Sequence, residues 1–575
     1  MSVYGWLSSV RLKWAIFRSD GRLTVIALAG FVGLCSGLAA VVLNRMLHYL
    51  GEFTHGLHHH WWAFILPAIG ATLSALFLNT ILKERAGHGV PEVVYAVSRY
   101  GGLMRFRSSF SRLVSSCLTI GSGGSAGPEA PVVMSGAALG SNIAKYFSLR
   151  ERQRVTLVGC GAAGAIGAIF NAPITGLVFT VEVILGEWRA FNVIPIAIAS
   201  VAGTELSRLL QGNQIAFGHQ QFSIGLLDIA ASFGIVLFAT LVSIGLGRML
   251  KSMHHIAKSN RLPHWLRPAV GGMAVGVIGL YLPLVLGEGY GAIQDMIQGT
   301  FASGFAIVAI AVFAKMVATA LTLGWGGSGG IFAPSLMVGS LLGVAYYRML
   351  IWIVPAWTIT GEGCFALLGM AGLVSGILQA PLTAIFLVVE ITGSYEVILP
   401  LIIVSTLTST FCYYIEPGSF YLRDLIEKGQ YMRPGTDAKV LSDLSVRELV
   451  ETDYLAVPGN MVLKEFIEVI KHSEKYLFPV EDHLDGRYLG MIYIDRIRPY
   501  LFDNQMHPVL VTEQMMETHV PHVKPDDELA DVLNIMENTR LNILPVVDNG
   551  RFVGMLSKSL LLDHYRKELI VQTGI

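Results

Sequence analysis

The sequence predicts an all-α polytopic membrane protein built from two repeats with broken helices, followed by a small α/β cytoplasmic pair. Three observations predict it. The 575 residues are 53% apolar and 14% charged, with a mean hydropathy of +0.57, the balance of a chain that crosses a bilayer many times. Three stretches of the first half recur in order in the second at offsets of 200, 203 and 208 residues. After Tyr421 the composition turns polar and a second, smaller duplication follows.

In chain order, residues 1–22 form a basic amphipathic lead-in. Arg11, Lys13, Arg18 and Arg22 precede the first apolar stretch, which by the positive-inside tendency places this end in the cytoplasm. That stretch is long and many more follow, so no cleavable signal is expected. Apolar segments run over 23–47, 61–82, 226–246, 269–286, 305–323 and 397–411. Several exceed the roughly 20 residues that span a bilayer; others are shorter or cut by Gly and Pro, so some helices are expected to stop partway. The five cysteines show no CxxC spacing and read as small core residues, with no metal site or disulfide framework. A formal net charge of zero gives no global field for nucleic acid.

The central correspondence is 121–140, GSGGSAGPEAPVVMSGAALG, against 324–343, GWGGSGGIFAPSLMVGSLLG. Its largest difference is Glu129, whose counterpart is Phe332. GHGVPEV at 87–93 matches GEGYGAI at 287–293, and AAGAIGAIFNAPITGLVFTVE at 162–182 matches MAGLVSGILQAPLTAIFLVVE at 370–390. The repeat halves therefore span about 23–210 and 226–421. The letters alone leave parallel and inverted arrangements open. Transporters made of repeats place their binding sites at the repeat interface, on broken helices. Glycine-rich backbone inside a bilayer is tolerated where it lines a cavity or is buried in protein, so the twin stretches read as cavity walls. Pro131 and Pro334 fall in the first turn of the helices that follow, and helix starts present free N–H donors and partial positive charge. Several such ends aimed at one point bind an anion.

A carboxylate at such a helix start is itself a tethered anion. Ionised, Glu129 plugs the site; protonated, or displaced by a free anion, it swings out. The other reading is a glutamate that caps its own helix; the apolar twin Phe332 favours the gate. Ahead of each twin stretch sits one cation, Arg112 and Lys315. These either add positive potential near an anion path or snorkel to the interface.

Residues 20–425 resemble the CLC family of chloride channels and proton-coupled anion exchangers, and the C-terminal part resembles a CBS domain pair. The resemblance implies CLC-type inverted repeats and a homodimer with one anion pathway per subunit. The compact loops point to a plasma membrane of bacterial inner type, crossed many times, with the CBS pair sharing the cytoplasmic side with the N-terminus if the helix count is even. GPEAP at 127–131 matches the motif of the family's external gate, which assigns that role to Glu129. GIFAP at 330–334 matches the motif whose backbone lines the central anion site, here Gly330, Ile331 and Phe332. Tyr421 falls where the family has a tyrosine that touches the same anion. The family's first motif commonly reads GSGIP with a donating serine; here it is GHGVP, and His88 takes the serine's place as a candidate anion contact. Exchangers of the family usually carry a second inner glutamate. Here FTVEVILGE places Glu182 at the first position and Val183 at the second, where the inner proton acceptor is absent.

The C-terminal duplication pairs 476–497 with 542–561, each copy preceded by a helical segment, 463–472 and 528–538. Adenosine-binding CBS units carry a Ser or Thr and, three residues on, an Asp. Here the first copy offers Tyr493 and Arg496, with Asp495 one place early, and the second Ser557 and Leu560. The pair is therefore expected to be a structural or regulatory module. An adenine nucleotide there is the disfavoured reading, and no other cofactor is expected.

The expected organisation is 1–22 cytoplasmic segment, 23–425 membrane domain, 426–440 linker, and CBS units at 441–505 and 506–575. The expected function, not enzymatic, is transport of chloride or a similar monovalent anion through a pathway gated by Glu129, with protons as gating ligand. Val183 favours channel-like conduction; proton-coupled antiport is the alternative. A CBS-regulated divalent cation transporter is a third reading, but it needs pore-facing carboxylates and carbonyls, whereas the repeats supply N–H-rich helix starts.

Overall fold

A computed structural model describes residues 21–57, 61–84, 89–212, 217–218, 220–263, 265–427, 441 and 444–573. The basic lead-in over 1–20, His88, and 428–440 of the expected linker lie outside the described residues. The chain divides into two compact units, Met1–Tyr431 and Met432–Ile575.

The first unit is helical and is built twice. Its first half comprises α1 (Gly21–Leu57), α2 (Leu66–Leu76), α3 (Val90–Tyr100), α4 (Ser108–Gly121), α5 (Glu129–Tyr146), α6 (Glu151–Phe170), α7 (Pro173–Phe179) and α8 (Ala190–Gln211). The second half follows the same order: α9 (Leu226–Ser259), α10 (Arg267–Tyr281), α11 (Tyr290–Gln298), α12 (Phe305–Gly324), α13 (Phe332–Ile353), α14 (Glu362–Leu378), α15 (Pro381–Thr392) and α16 (Ile398–Ile415). A short helix, α17 (Phe420–Glu427), ends the unit. Among the described residues, eight helical segments are long and apolar enough to cross a membrane.

The helices break where the sequence instructs them to. After α6, Asn171 turns left-handed at φ 57°, and after α14 Gln379 does the same at φ 52°. Each is followed by Ala-Pro, and the proline opens the next helix in its first turn, where no N–H is needed. An apolar run that hydropathy alone would read as continuous is thereby cut into two half-helices.

The repeats are inverted. Matched residues Gly127 and Gly330 form an antiparallel bridge, each N–H donating to the other's carbonyl at 2.8 and 2.7 Å. Chains that run antiparallel at equivalent residues traverse the unit in opposite senses. The same symmetry recurs in a glutamate exchange. Glu182 accepts from the Leu382 and Thr383 amides at 3.2 and 2.8 Å and from the Thr383 hydroxyl at 2.6 Å. Glu390 accepts from the Ile174 and Thr175 amides at 2.9 and 2.6 Å and from the Thr175 hydroxyl at 2.6 Å. Each carboxylate thus caps the half-helix start of the other repeat, a charge-assisted contact favoured by the helix dipole.

Backbone meets backbone at the centre of each half. A Cβ on Gly136 of α5 would run into the Gly161 carbonyl of α6, and one on Gly161 into the Gly136 carbonyl; Gly339 and Gly369 repeat this between α13 and α14. Small residues let helices approach this closely in a membrane, where packing rather than water exclusion drives association.

The second unit holds two similar αβ pieces. In the first, β1 (Val457–Pro458) runs parallel to β2 (Leu477–Glu481), which pairs antiparallel with β3 (Tyr488–Tyr493). In the second, β4 (Ile543–Asp548) pairs antiparallel with β5 (Arg551–Ser557). Both hairpins carry a register shift at the same place, Val480/Glu481 and Val546/Val547. The helices α18 (Leu463–Lys471) and α20 (Leu529–Thr539) precede these hairpins, and α19 (Ile494–Leu501) follows the first. The matched rings of Tyr488 and Phe552 stack 6.3 Å apart, and burial pushes the Tyr488 phenol up from its ordinary value.

Candidate functional site

α5 and α13 begin just after the Gly127–Gly330 bridge, so their N-termini converge. Neither start has a side-chain cap. The non-helical backbone ahead of them is satisfied by hydroxyls of α4 and α12, as backbone buried away from water requires. The Ser125 amide donates to Thr322 Oγ1 at 3.1 Å and the Ser328 amide to Thr119 Oγ1 at 3.2 Å. These two contacts are equivalent under the repeat.

Glu129 is the first residue of α5 and is 1% exposed. Its Oε1 accepts a hydrogen bond from the Tyr290 hydroxyl. Its Oε2 sits against Gly127, where a Cβ would run into it and would stand 3.0 Å from the Ala333 nitrogen of α13. The Glu129 and Ala333 amides face the carboxylate, yet Oε2 closes no well-formed hydrogen bond. A carboxylate from one repeat therefore reaches the first turn of the other repeat's helix. Tyr421, on α17, is buried and within electrostatic reach of it.

Ile331 and Phe332 are buried beside this point. The Phe332 ring packs on Phe170 and Phe179, with centroids 5.5 and 6.3 Å apart. Gly330, expected among the anion contacts, donates its N–H to the Gly127 carbonyl at 2.7 Å. It shapes the site, and the α13 amide that faces the carboxylate is that of Ala333.

Arg112 and Lys315 are 4% and 0% exposed, which excludes snorkelling. Lys315 ties down the GxG segment of its own repeat. Lys315 Nζ donates to the Val285 and Gly287 carbonyls at 2.9 and 2.8 Å. Arg112 Nη2 lies 3.8 Å from Glu92 Oε1, in the first turn of α3. Val183 is buried among apolar neighbours on the wide turn Thr180–Leu185 that continues α7. Glu187, the nearby acid, pairs with Arg189 at 2.9 Å.

Two residues of the site escaped sequence reasoning. Tyr290 is the hydrogen-bond donor to Glu129, and Glu288 lies within electrostatic reach of both Glu129 and Lys315. Their segment, GEGYG, was visible as a repeat of GHGVP, and an ionisable residue in a glycine-rich break was the available signal. The contact itself joins residues 161 positions apart, which no local pattern encodes.

The inverted repeats, the converging helix starts and the tethered carboxylate can be set beside known proteins. A family model described as the voltage gated chloride channel matches residues 70–413. The H(+)/Cl(-) exchange transporter ClcA of Vibrio cholerae is 30% identical over 403 residues, spanning 66% of this chain and 85% of that protein. The chain belongs to the CLC family. Its ClcA relative from Klebsiella pneumoniae is 30% identical over 407 residues, with 68% and 85% covered. Among solved CLC structures, a slow cyanobacterial Cl-/H+ antiporter aligns with a TM-score of 0.64 at 22% identity, covering 71% of this chain and 98% of that one. A eukaryotic CLC transporter aligns with a TM-score of 0.64 at 16% identity over 93% of this chain and 98% of that one. A CBS domain model matches residues 511–567. The protein is thus a multi-pass membrane protein of an anion-transporting family, with a CBS-type C-terminal region.

Proposed function

We propose that this CLC protein moves chloride or a similar monovalent anion across a bacterial plasma membrane, with Glu129 as its gate and with anion movement coupled to protons. The observation that carries the proposal is the place of the Glu129 carboxylate. It stands buried at the first turn of α13, facing amides, Tyr290 and Tyr421, where a dehydrated anion would be held by the same groups. An ionised Glu129 and a free anion compete for that point. Protonation removes the charge that holds the side chain there, so proton binding and anion binding both favour the open position. Ile331, Phe332, Tyr421 and, on the GHGVP segment, His88 are the remaining anion contacts in this reading. Arg112 and Lys315 contribute positive potential, and Lys315 also anchors the turn at Gly287.

Exchange is the better supported mode, because relatives 30% identical over most of their length carry the description H(+)/Cl(-) exchange transporter. Passive conduction is the second reading, favoured by one observation: Val183 leaves the inner position without a proton acceptor. The working organisation is a homodimer with the N-terminus and CBS pair cytoplasmic, a membrane domain over 23–425, a linker over 426–440, and CBS units at 441–505 and 506–575.

The test is the reversal potential of the reconstituted protein under separate chloride and pH gradients. Exchange predicts that a pH gradient alone displaces it. A reversal potential that follows chloride and ignores pH selects passive conduction, and one that ignores chloride overturns the reading altogether.

A further inference from the structure

The gate of the first repeat is held by a segment of the second. At the start of α11, the Tyr290 hydroxyl donates to Glu129 Oε1. The Tyr290 ring is fixed from one side by Phe217, edge to face at 5.9 Å between centroids, and the Phe217 amide is itself bound to the Ile391 carbonyl at 2.9 Å. The turn that delivers Tyr290 is fixed from the other side by Lys315, whose ammonium binds the Val285 and Gly287 carbonyls. A hydroxyl positioned this firmly costs little further ordering when it binds a carboxylate. The bond joins a neutral donor to a charged acceptor, the stronger class.

Two residues earlier on the same turn stands Glu288. Among the described residues, the ionisable groups within electrostatic reach of Glu129 are Tyr290 and Glu288 from this segment and Tyr421 from α17, and Lys315 of α12 is within reach of Glu288.

We propose that the GEGYG segment, 287–291, is the receptor of the gate: Tyr290, on a turn held by Lys315 and Phe217, latches the ionised Glu129 carboxylate in the pathway. The inference rests on Glu129 being the gate and goes beyond it by naming what sets the gate's release. Tyr290 is a positioning residue, since it acts on the anion through Glu129. The latch stabilises the ionised, closed position, so its loss releases the gate at higher pH.

The experiment is chloride flux from proteoliposomes of the full chain across a pH series, for wild type, Tyr290→Phe, Phe217→Ala, Glu129→Gln and the Glu129→Gln/Tyr290→Phe pair. Tyr290→Phe is expected to raise flux on the alkaline side ~10-fold, the scale of a lost hydrogen bond to a charged group, and to move the midpoint to higher pH. Phe217→Ala, which frees the Tyr290 ring, is expected to move it the same way by less, and the double variant to match Glu129→Gln alone. A Tyr290→Phe profile that does not move, or that scales equally at every pH, overturns the latch. So does a double variant whose flux departs from that of Glu129→Gln. Should Tyr290→Phe fail to fold, Phe217→Ala carries the test by itself, an unmoved or acid-shifted midpoint contradicting the proposal. If Glu129→Gln keeps the wild-type pH response, the gate reading falls; if it is flat while the other two profiles stay put, only the receptor falls.

Discussion

The two repeats are one scaffold used for two purposes. Both place a helix start beside the Gly127–Gly330 bridge, both break a helix at a left-handed residue before Ala-Pro, and both send a glutamate across to cap the other half. They differ at Glu129 against Phe332, and at His88 and Val90 against Glu288 and Tyr290. The symmetric positions hold the fold, and the asymmetric ones carry ionisable chemistry. One repeat supplies the buried carboxylate; the other supplies the turn beside it and the tyrosine that donates to it.

That division can be broken most forcefully at the glycine contacts. Gly161→Leu and Gly369→Leu are each expected to abolish folded protein, because a side chain there meets the backbone carbonyl of the facing helix and a packed helix pair cannot absorb the volume. Size-exclusion profiles in detergent check this. A well-behaved peak from one variant and not the other would show that the halves are not mechanically equivalent.

The glutamate exchange gives a finer test. Glu182→Gln and Glu390→Gln should each lower stability by about 1–3 kcal/mol, the range for losing charge-assisted hydrogen bonds at a helix start, and by similar amounts. Thermal unfolding in detergent reads the shift. A markedly larger effect of Glu182→Gln on proton-coupled flux than on stability would move that residue from the scaffold to the pathway.

The smallest effect is expected at Tyr421. Removing its hydroxyl with Tyr421→Phe should weaken chloride binding about 10-fold, the lower end of the scale for a hydrogen bond to a charged acceptor, with the fold intact. Calorimetric titration of chloride measures this; unchanged affinity would remove Tyr421 from the anion contacts.

The repeat architecture was legible in the sequence because symmetric packing leaves matched letters. GSGGSAGPEAP against GWGGSGGIFAP, and FNAPIT against LQAPLT, encode the converging helix starts and the cut half-helices directly. Glu129 stood out because it broke the match. What the letters did not carry were contacts between the halves. The reciprocal caps of Glu182 and Glu390 were legible as a repeated residue but not as an exchange, and the grip of Tyr290 on Glu129 joins residues of different repeats. Motif position likewise marked Gly330 as an anion contact without showing that its N–H is donated to its own twin, Gly127.

The claim at the centre of this account is that Glu129 is a movable anion occupying the site it gates. Chloride flux from proteoliposomes of Glu129→Gln, measured from acidic to alkaline pH beside the wild type, tests it most directly. A neutral side chain has no charge to compete with chloride and no proton to gain, so the account predicts a flat profile at or above the wild type's acidic flux. A variant whose flux still rises as pH falls, with the wild-type midpoint, would contradict it and return Glu129 to the role of a buried helix-start residue.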